Sequence, residues 1–293
     1  MDIGFVVNPS KSEYFRGIGE LADWLADQGH TVYVEDQDEL PDLGAARARS
    51  REEIGQLSDV VAVFGGDGTL LDASHEMVRF DTPILGVNTG GLGFMTETTM
   101  DEVRSSFERI LSGDHDMHQR MMLEASAPGH EGSLRALNDM VLSRFRLGRV
   151  FQVAAYVDDS FVTSYVCDGM IVSTPTGSTA YNLSASGPIV QPDVESIILN
   201  PICPHTLTNR PLIVPPSSTV RLSIGSEDRC VLTADGQDKI TELGEGDEIS
   251  IWKSDRKATL ISSGERDFYN ILRTKLHWSG RAPEDQNNSP ETP

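Results

Sequence analysis

Lysine is scarce in this chain, occurring only at Lys11, Lys239, Lys253, Lys257 and Lys275, so arginine carries most of the positive charge. Cysteine is scarcer still. Cys167, Cys203 and Cys230 are widely spaced and odd in number, which excludes a disulfide framework, and they read as small core residues. No run approaches the roughly 18 uninterrupted apolar residues that a membrane span needs. Residues 1–14 have neither the basic region nor the long apolar region of a signal peptide. Together these absences place the protein in the cytoplasm. Hydrophobic residues at 38% suffice for a packed core, and 293 residues allow two domains of ordinary size.

What the chain has in excess is negative charge, with 45 acidic against 24 basic residues and a formal net charge of −21. The acids are scattered along the chain rather than gathered in one run. That favours adaptation to concentrated salt, as in a halophilic microbe, over a docking face for a cationic partner. The same charge opposes binding to the backbone of nucleic acid.

The first third alternates between strand and helix patterns. Ile3 to Val7 reads as a buried strand, the apolar positions from Ile18 to Ala26 as a helix stopping before Gly29, and Thr31 to Val34 as a second strand. Beyond a polar stretch, Val60 to Phe64 is a continuous apolar run, as expected of a parallel strand covered on both faces. A helix is expected from about Leu70 to Arg79, a covered strand from Ile84 to Val87, and another helix from Thr99 to Leu111. This predicts an open, doubly wound α/β sheet with its ligand at the carboxyl ends of the strands.

After about Arg120 short β-forming runs take over. They are Leu134 to Ser143, Phe151 to Val157, Phe161 to Cys167, Met170 to Ser173, Leu212 to Val214, Val220 to Ile224, Cys230 to Ala234 and Glu248 to Ser254, and Asp158-Asp159-Ser160 has the look of a hairpin turn. The expectation is an α/β nucleotide-binding domain over 1–118 and an all-β, sandwich-like domain over 119–261. A final amphipathic helix within 262–280 returns to the first domain, and a disordered tail spans 281–293.

Two glycine-rich turns carry the chemistry: Gly65-Gly66-Asp67-Gly68-Thr69 and Asn88-Thr89-Gly90-Gly91-Leu92-Gly93, each directly after a buried strand. Glycines there let a ligand approach the backbone, and helix-start N–H groups form an anion site. Asp67 is a carboxylate at the mouth of a phosphate-sized nest, which points to a general base or a metal-binding group. There is no G-x-x-x-x-G-K-[ST], so a P-loop is excluded. Gly17-Ile18-Gly19-Glu20-Leu21-Ala22 matches a dinucleotide fingerprint but falls inside the first helix, so it reads as helix surface. His115 and His118, beside Asp114 and Asp116, read as a domain junction rather than a metal cluster, and His205 as a structural histidine.

The turn Gly65 to Thr69 resembles the signature shared by NAD kinases, diacylglycerol and sphingosine kinases, and 6-phosphofructokinases. Asn88 to Phe94, the pair Asn138-Asp139, and the run Asp168 to Ser184 resemble the NAD kinase family in particular. The likeness continues through His205 to Pro211, Asp235-Gly236-Gln237 and the closing helix ending at Trp278. It implies transfer of the γ-phosphoryl group of ATP, or of polyphosphate, to the adenosine 2′-hydroxyl of NAD, with magnesium accompanying ATP. By that resemblance Asp67 is the catalytic base, Gly66, Gly68 and the second turn hold phosphates, and Thr69 also belongs to the substrate-binding residues. Asn138 and Asp139 hold the sugar and base of the dinucleotide. Thr176, Thr179, Ala180, Tyr181 and Ser184 form the adenosine pocket, and Gln237 also touches substrate. Asp168 serves the nicotinamide end, a group that in this family can come from a neighbouring subunit, and the resemblance suggests a homodimer or homotetramer. Asp139 stands where the family usually has glutamate, and Cys167 where many members have arginine. A lipid kinase built on the same turn, or a non-catalytic dinucleotide sensor, are the alternatives.

Overall fold

The computed structural model describes residues 1–130, 132–144, 151–225, 229–237, 241–262, 264 and 267–278; the tail expected to be disordered, 281–293, lies outside the described residues. Val60–Gly65 is the central strand of the α/β part. It pairs in parallel with Asp2–Val7 on one side and Ile84–Asn88 on the other, and Thr31–Glu35 and Arg47–Arg49 extend the parallel sheet. Four helices cover it: α1 (Phe15–Asp27), α2 (Arg51–Leu57), α3 (Asp67–Met77) and α4 (Val103–Ser112).

The period-2 alternation of the strand decides which helix sees which residue. Ala62 and Phe64, with Phe5, face Ile18, Leu21 and Leu25 of α1 and Phe107 and Ile110 of α4. Val61 and Val63, with Val6, face Ile54 of α2 and Leu70, Ala73 and Met77 of α3. Every residue from Val60 to Gly65 is therefore buried, which is why the run is apolar throughout. This is the doubly wound arrangement that the strand–helix alternation predicts.

Glu248–Ser262 is the seam between this part and the β-rich part. Its end pairs in parallel with Ile84–Asn88, its length runs antiparallel to Asp116–Ser126, and its start pairs with Val220–Ile224. Phe151–Val157 and Ser160–Cys167 follow, joined by the tight turn at Asp158-Asp159, where Asp158 has φ 54°. A second sheet has the order Leu212–Val214, Ile197–Ile202, Gly169–Ser173, Asp139–Arg144, Cys230–Ala234, Thr241–Leu243. Leu123, Val153, Leu222 and Ile251 of the large sheet meet Leu142, Met170, Val172, Leu199 and Leu232 of the small one in a shared apolar core. From Gly169–Ser173 the chain passes through a 3-10 turn (Thr176–Thr179) into the single-turn α5 (Tyr181–Ser184). The last described helix, α6 (Phe268–Lys275), is capped by Asp267, which accepts from the Asn270 N–H at 2.6 Å. Its Lys275 ammonium sits 5.8 Å from the centre of the Phe94 ring in the α/β part.

Several elements differ from the sequence reading. The polar stretch before Val60 holds the strand Arg47–Arg49 and α2, started by a reciprocal Ser50/Glu53 capping box. Helix α3 begins at Asp67 rather than near Leu70, because Gly66 is the extended N-cap and a carboxylate suits a helix's first turn. Helix α4 starts at Val103, the preceding residues Thr98–Thr99 pairing with Ile84–Asn88 instead. Asp116–Ser126 is a strand hidden by its polar, half-exposed start. Ile197–Ile202 is a strand despite Pro201. Leu134 to Ser143 is two strands, Leu134–Ala136 in the large sheet and Asp139–Arg144 in the small one, and the chain crosses between sheets at Leu137-Asn138. Cys203 is exposed with φ 46° and is no core residue, whereas Cys167 and Cys230 are buried.

Candidate active site

Three loops leave the carboxyl ends of neighbouring parallel strands: 8–11, 65–69 and 88–96, with 65–69 in the middle. They are laced together. Asn8 donates its backbone N–H to Phe64 O at 2.9 Å and its side-chain amide to Thr69 Oγ1 at 3.1 Å, and Thr89 N donates to Gly65 O at 3.1 Å. The Asn88 side chain closes the second turn on itself, donating to Gly91 O at 2.8 Å and accepting from Gly90 N at 2.6 Å.

Asp67 sits where these loops meet. Its Oδ1 accepts from Met95 N (3.0 Å), Thr96 N (3.1 Å) and the Thr96 hydroxyl (3.1 Å), while among the described residues Oδ2 accepts only from Phe94 N at 2.8 Å. The carboxylate is locked in one orientation with Oδ2 the less occupied oxygen. Gly93 is glycine for this reason, since a Cβ there would stand 2.1 Å from Asp67 Oδ1, and one on Gly65 would stand 2.3 Å from Thr69 Oγ1. Gly66, Gly68 and Gly91 are different. None has positive φ, and a Cβ on any of them would meet no protein atom within 4 Å. Packing within the chain does not require glycine there. What their bare backbone provides is close approach for a ligand, at Gly66 and Gly68 beside the first turn of a helix, the setting in which phosphates bind.

The second half of the site is built on the sheet crossing. Asp235, its side chain 0% exposed, accepts from Leu137 N (2.7 Å), Asn138 N (2.8 Å) and Asp139 N (3.0 Å). His75 of α3 brings its Nε2 within 3.0 Å of Asp235 Oδ2, at ion-pair distance though off the line of a good hydrogen bond. Asp235 thus ties the crossing to the helix that carries Asp67. The Thr174–Thr179 turn docks on the same crossing: Thr174 N and the Ser173 hydroxyl donate to Asn138 O, and a Cβ on Gly177 would stand 2.1 Å from that oxygen.

Leu71, Asn138, Asp139, Ala180, Tyr181 and Asp235 line a cavity of about 410 Å³. Tyr181, 46% exposed, stands at its edge, and Thr179 is partly buried beside it. The buried Thr176 hydroxyl has no hydrogen-bond partner among the described residues. Ser184 lines a neighbouring cavity of about 510 Å³, together with Tyr181 and Arg210. Gln237 lines a third, of about 240 Å³, behind the Asp235-Gly236 turn. Asp168 is set apart. It precedes the strand Gly169–Ser173, whose far end pairs with Asp139 (Ser173↔Asp139), so about five residues of strand, roughly 17 Å, separate them. It is ion-paired to Arg144 at 3.2 Å. His205 is exposed.

Burial, and next to it the charge of Asp235, pushes the Asp139 carboxyl from its ordinary 3.8 up to about 7. The folded chain therefore holds a proton here that the unfolded chain releases once pH exceeds 3.8. This contribution to stability is fully present below about pH 4 and is lost as pH rises through 7, in all roughly 4 kcal/mol. Asp139→Asn carries no such proton. Relative to wild type, its denaturation midpoint should gain steadily from pH 4 to 7; parallel profiles for the two proteins would place the proton elsewhere.

Sequence comparison supplies the family. The model of the ATP-NAD kinase N-terminal domain matches residues 3–115, and that of the ATP-NAD kinase C-terminal domain matches residues 137–263. The chain belongs to the NAD kinase family. The NAD kinase of Geobacter sp. (strain M21) is 44% identical over 269 residues, covering 89% of this chain and 93% of the relative. That of Magnetococcus marinus is 41% identical over 287 residues, covering 94% and 93%. The crystal structure of yeast NADH kinase complexed with NADH superposes with a TM-score of 0.84 at 26% identity, covering 97% of this chain and 89% of that one. An NAD kinase from Archaeoglobus fulgidus in complex with ATP shares the fold, with a TM-score of 0.74 at 24% identity over 95% and 100% of the two chains.

An NAD kinase phosphorylates NAD to NADP, and that is this enzyme's reaction; the lipid-kinase and sensor alternatives fall away. Among the described residues no helix is long and apolar enough to cross a membrane. The features that sequence reasoning did not single out are Asn8, the 94–96 loop that grips Asp67, and the Asp235–His75 link. The resemblance did mark Asp235, but its role as an acceptor for three N–H groups needs the fold.

Proposed function

We propose that the two glycine turns hold the phosphates of ATP while the cavity beside Tyr181 holds the adenosine of NAD, with Asp67 as the base between them. One observation carries this. Leu71, which lines the cavity, lies one turn of α3 beyond Asp67, about 6 Å along the helix, so a ribose seated there is within reach of the carboxylate. Asp67 Oδ2 takes the proton of the 2′-hydroxyl as its oxygen attacks the γ-phosphorus in line, and the β–γ bridging oxygen leaves with ADP. Gly66, Gly68 and the second turn hold phosphate oxygens through backbone N–H groups, and Thr69 through its hydroxyl, its own N–H being bonded to Gly66 O at 3.0 Å. Asn138 and Asp139 bind the sugar and base, and Asp139, titrating near neutrality, serves as donor or acceptor. Thr176, Thr179, Ala180, Tyr181 and Ser184 surround the adenosine, with Gln237 behind them.

A divalent cation, magnesium by this reading, would be carried by the triphosphate and would supply neutralisation of its charge. Asp67 is the one carboxylate in the 65–69 and 88–96 loops, which suits a cation held chiefly by phosphates and water. The domain division near residue 118 is supported by the separate matches to 3–115 and 137–263. The enzyme works in the cytoplasm, in salt concentrated enough to account for its charge of −21.

The separation of Asp168 from Asp139 supports a homodimer or homotetramer in which a second copy supplies Asp168 to the nicotinamide end. The test uses purified protein with NAD and MgATP in molar potassium chloride, NADP being read with an NADP-specific dehydrogenase. Wild type should turn over. Asp67→Asn and Asp168→Ala should each be nearly inactive, and refolding them together should restore activity through hybrid sites. Absence of complementation, with Asp168→Ala active alone, would remove Asp168 from the shared site.

A further inference from the structure

The phosphate turns lack an obvious cation, in a protein whose charge of −21 repels a triphosphate. The third loop at the same strand ends supplies one. Lys11 follows Asn8, whose side chain is bonded to Thr69 Oγ1 at 3.1 Å and whose carbonyl accepts from Lys11 N at 3.1 Å, so the lysine's backbone is fixed relative to the 65–69 turn. Its side chain is half-buried and reaches the other turn: Lys11 Nζ lies 3.8 Å from where a Cβ on Gly90 would stand. Across loops 8–11, 65–69 and 88–96 it is the only cationic side chain, and Asp67 the only anionic one. Lys253 and Lys257 both pair with Glu195, whereas among the described residues the Lys11 ammonium has no carboxylate partner.

We infer that Lys11 is a donor-binding residue of this kinase, its ammonium contacting phosphate oxygens of ATP between the 65–69 and 88–93 turns. This rests on the reading of those turns as the phosphate site. A compact ammonium with three donors and no fixed fork suits a triphosphate whose oxygens shift as the terminal group leaves. Contacting phosphates rather than adenine, Lys11 would act on any polyphosphate chain. Contact through charge and hydrogen bonds in a partly desolvated loop is lost with the ammonium and kept in part by arginine.

The experiment compares wild type, Lys11→Ala and Lys11→Arg, with Lys257→Ala as a control for loss of any surface lysine. Lys11→Ala should raise KM for MgATP at least tenfold, with KM for NAD changed less than twofold and the melting temperature unchanged. Inorganic tripolyphosphate, which has no base or sugar, should compete with ATP on wild type, and its inhibition constant should rise in parallel in Lys11→Ala. Lys11→Arg should recover part of both, and Lys257→Ala should behave as wild type. Unchanged ATP and tripolyphosphate constants in Lys11→Ala, or equal rises for NAD and ATP, would overturn the assignment. Failure of tripolyphosphate to compete on wild type would instead overturn the phosphate-site reading beneath it.

Discussion

Asp67→Asn should lose roughly 10²–10⁴-fold in kcat while remaining folded. The side chains are the same size, so Oδ1 still accepts from Met95 N, Thr96 N and the Thr96 hydroxyl. The new amide nitrogen takes the place of Oδ2 and faces the Phe94 N–H, donor against donor. That costs about 1–3 kcal/mol of stability, a shift of a few degrees in melting temperature for a chain of this size. A thousandfold fall in turnover corresponds to about 4 kcal/mol of lost transition-state stabilisation. Turnover should therefore collapse while a thermal melt remains cooperative. The KM values should stay within a few-fold, because the glycine turns and the adenosine cavity are untouched. A variant retaining more than a tenth of wild-type kcat would mean that another group accepts the proton and that Asp67 serves mainly to anchor the 94–96 loop.

Asp235→Ala should be the most damaging change for stability. It strips the partner from three backbone N–H groups, at Leu137, Asn138 and Asp139, and from His75, all around a side chain that is 0% exposed. Unsatisfied buried donors cost about 1–3 kcal/mol each. Asp235 also has φ 54°, a conformation that aspartate tolerates better than alanine. Relief of charge repulsion on Asp139 and entry of a water offset part of this. A net loss of about 4 kcal/mol, or roughly 8–16 °C in melting temperature, is the expectation. Because the same N–H groups set the position of Asn138 and Asp139, surviving activity should show a raised KM for NAD with KM for ATP nearly constant. A melting temperature within 2 °C of wild type would show that the sheet crossing holds its shape without Asp235.

The sequence was most readable where one physical requirement dominated. Val60 to Phe64 must be apolar on both faces because helices cover both, and Ile84 to Val87 likewise, so strands and the turns after them could be placed from composition alone. It was least readable where partners lay far off in the chain. Asp116–Ser126 begins with exposed polar residues and is a strand because Glu248–Ser262 pairs with it along its length. The apolar continuity of Leu134 to Ser143 concealed a passage from one sheet to the other, since both halves are buried wherever they go. Arg47–Arg49 and α2 passed as polar linker, although Ser50 and Glu53 carry a recognisable capping pattern.

The sequence by itself indicated the reaction class through resemblance: the glycine turn around Asp67 and the run Asp168 to Ser184 are contiguous segments similar to those of NAD kinases, legible without knowing their neighbours in space. Local order also settled the doubly wound frame, because hydrophobic periodicity reports which faces are covered. Only the tertiary structure decided which oxygen of Asp67 is the less occupied, with Oδ2 accepting from Phe94 N and Oδ1 from Met95 and Thr96. Only it brought Asp235 beneath residues 137–139, almost a hundred positions away in the chain, and set Lys11 against the Gly90 turn. Only it set Asp168 at the far end of its strand from Asp139. Periodicity records burial but not the identity of the neighbour, and an active site assembled from loops at the ends of non-consecutive strands is defined by neighbours.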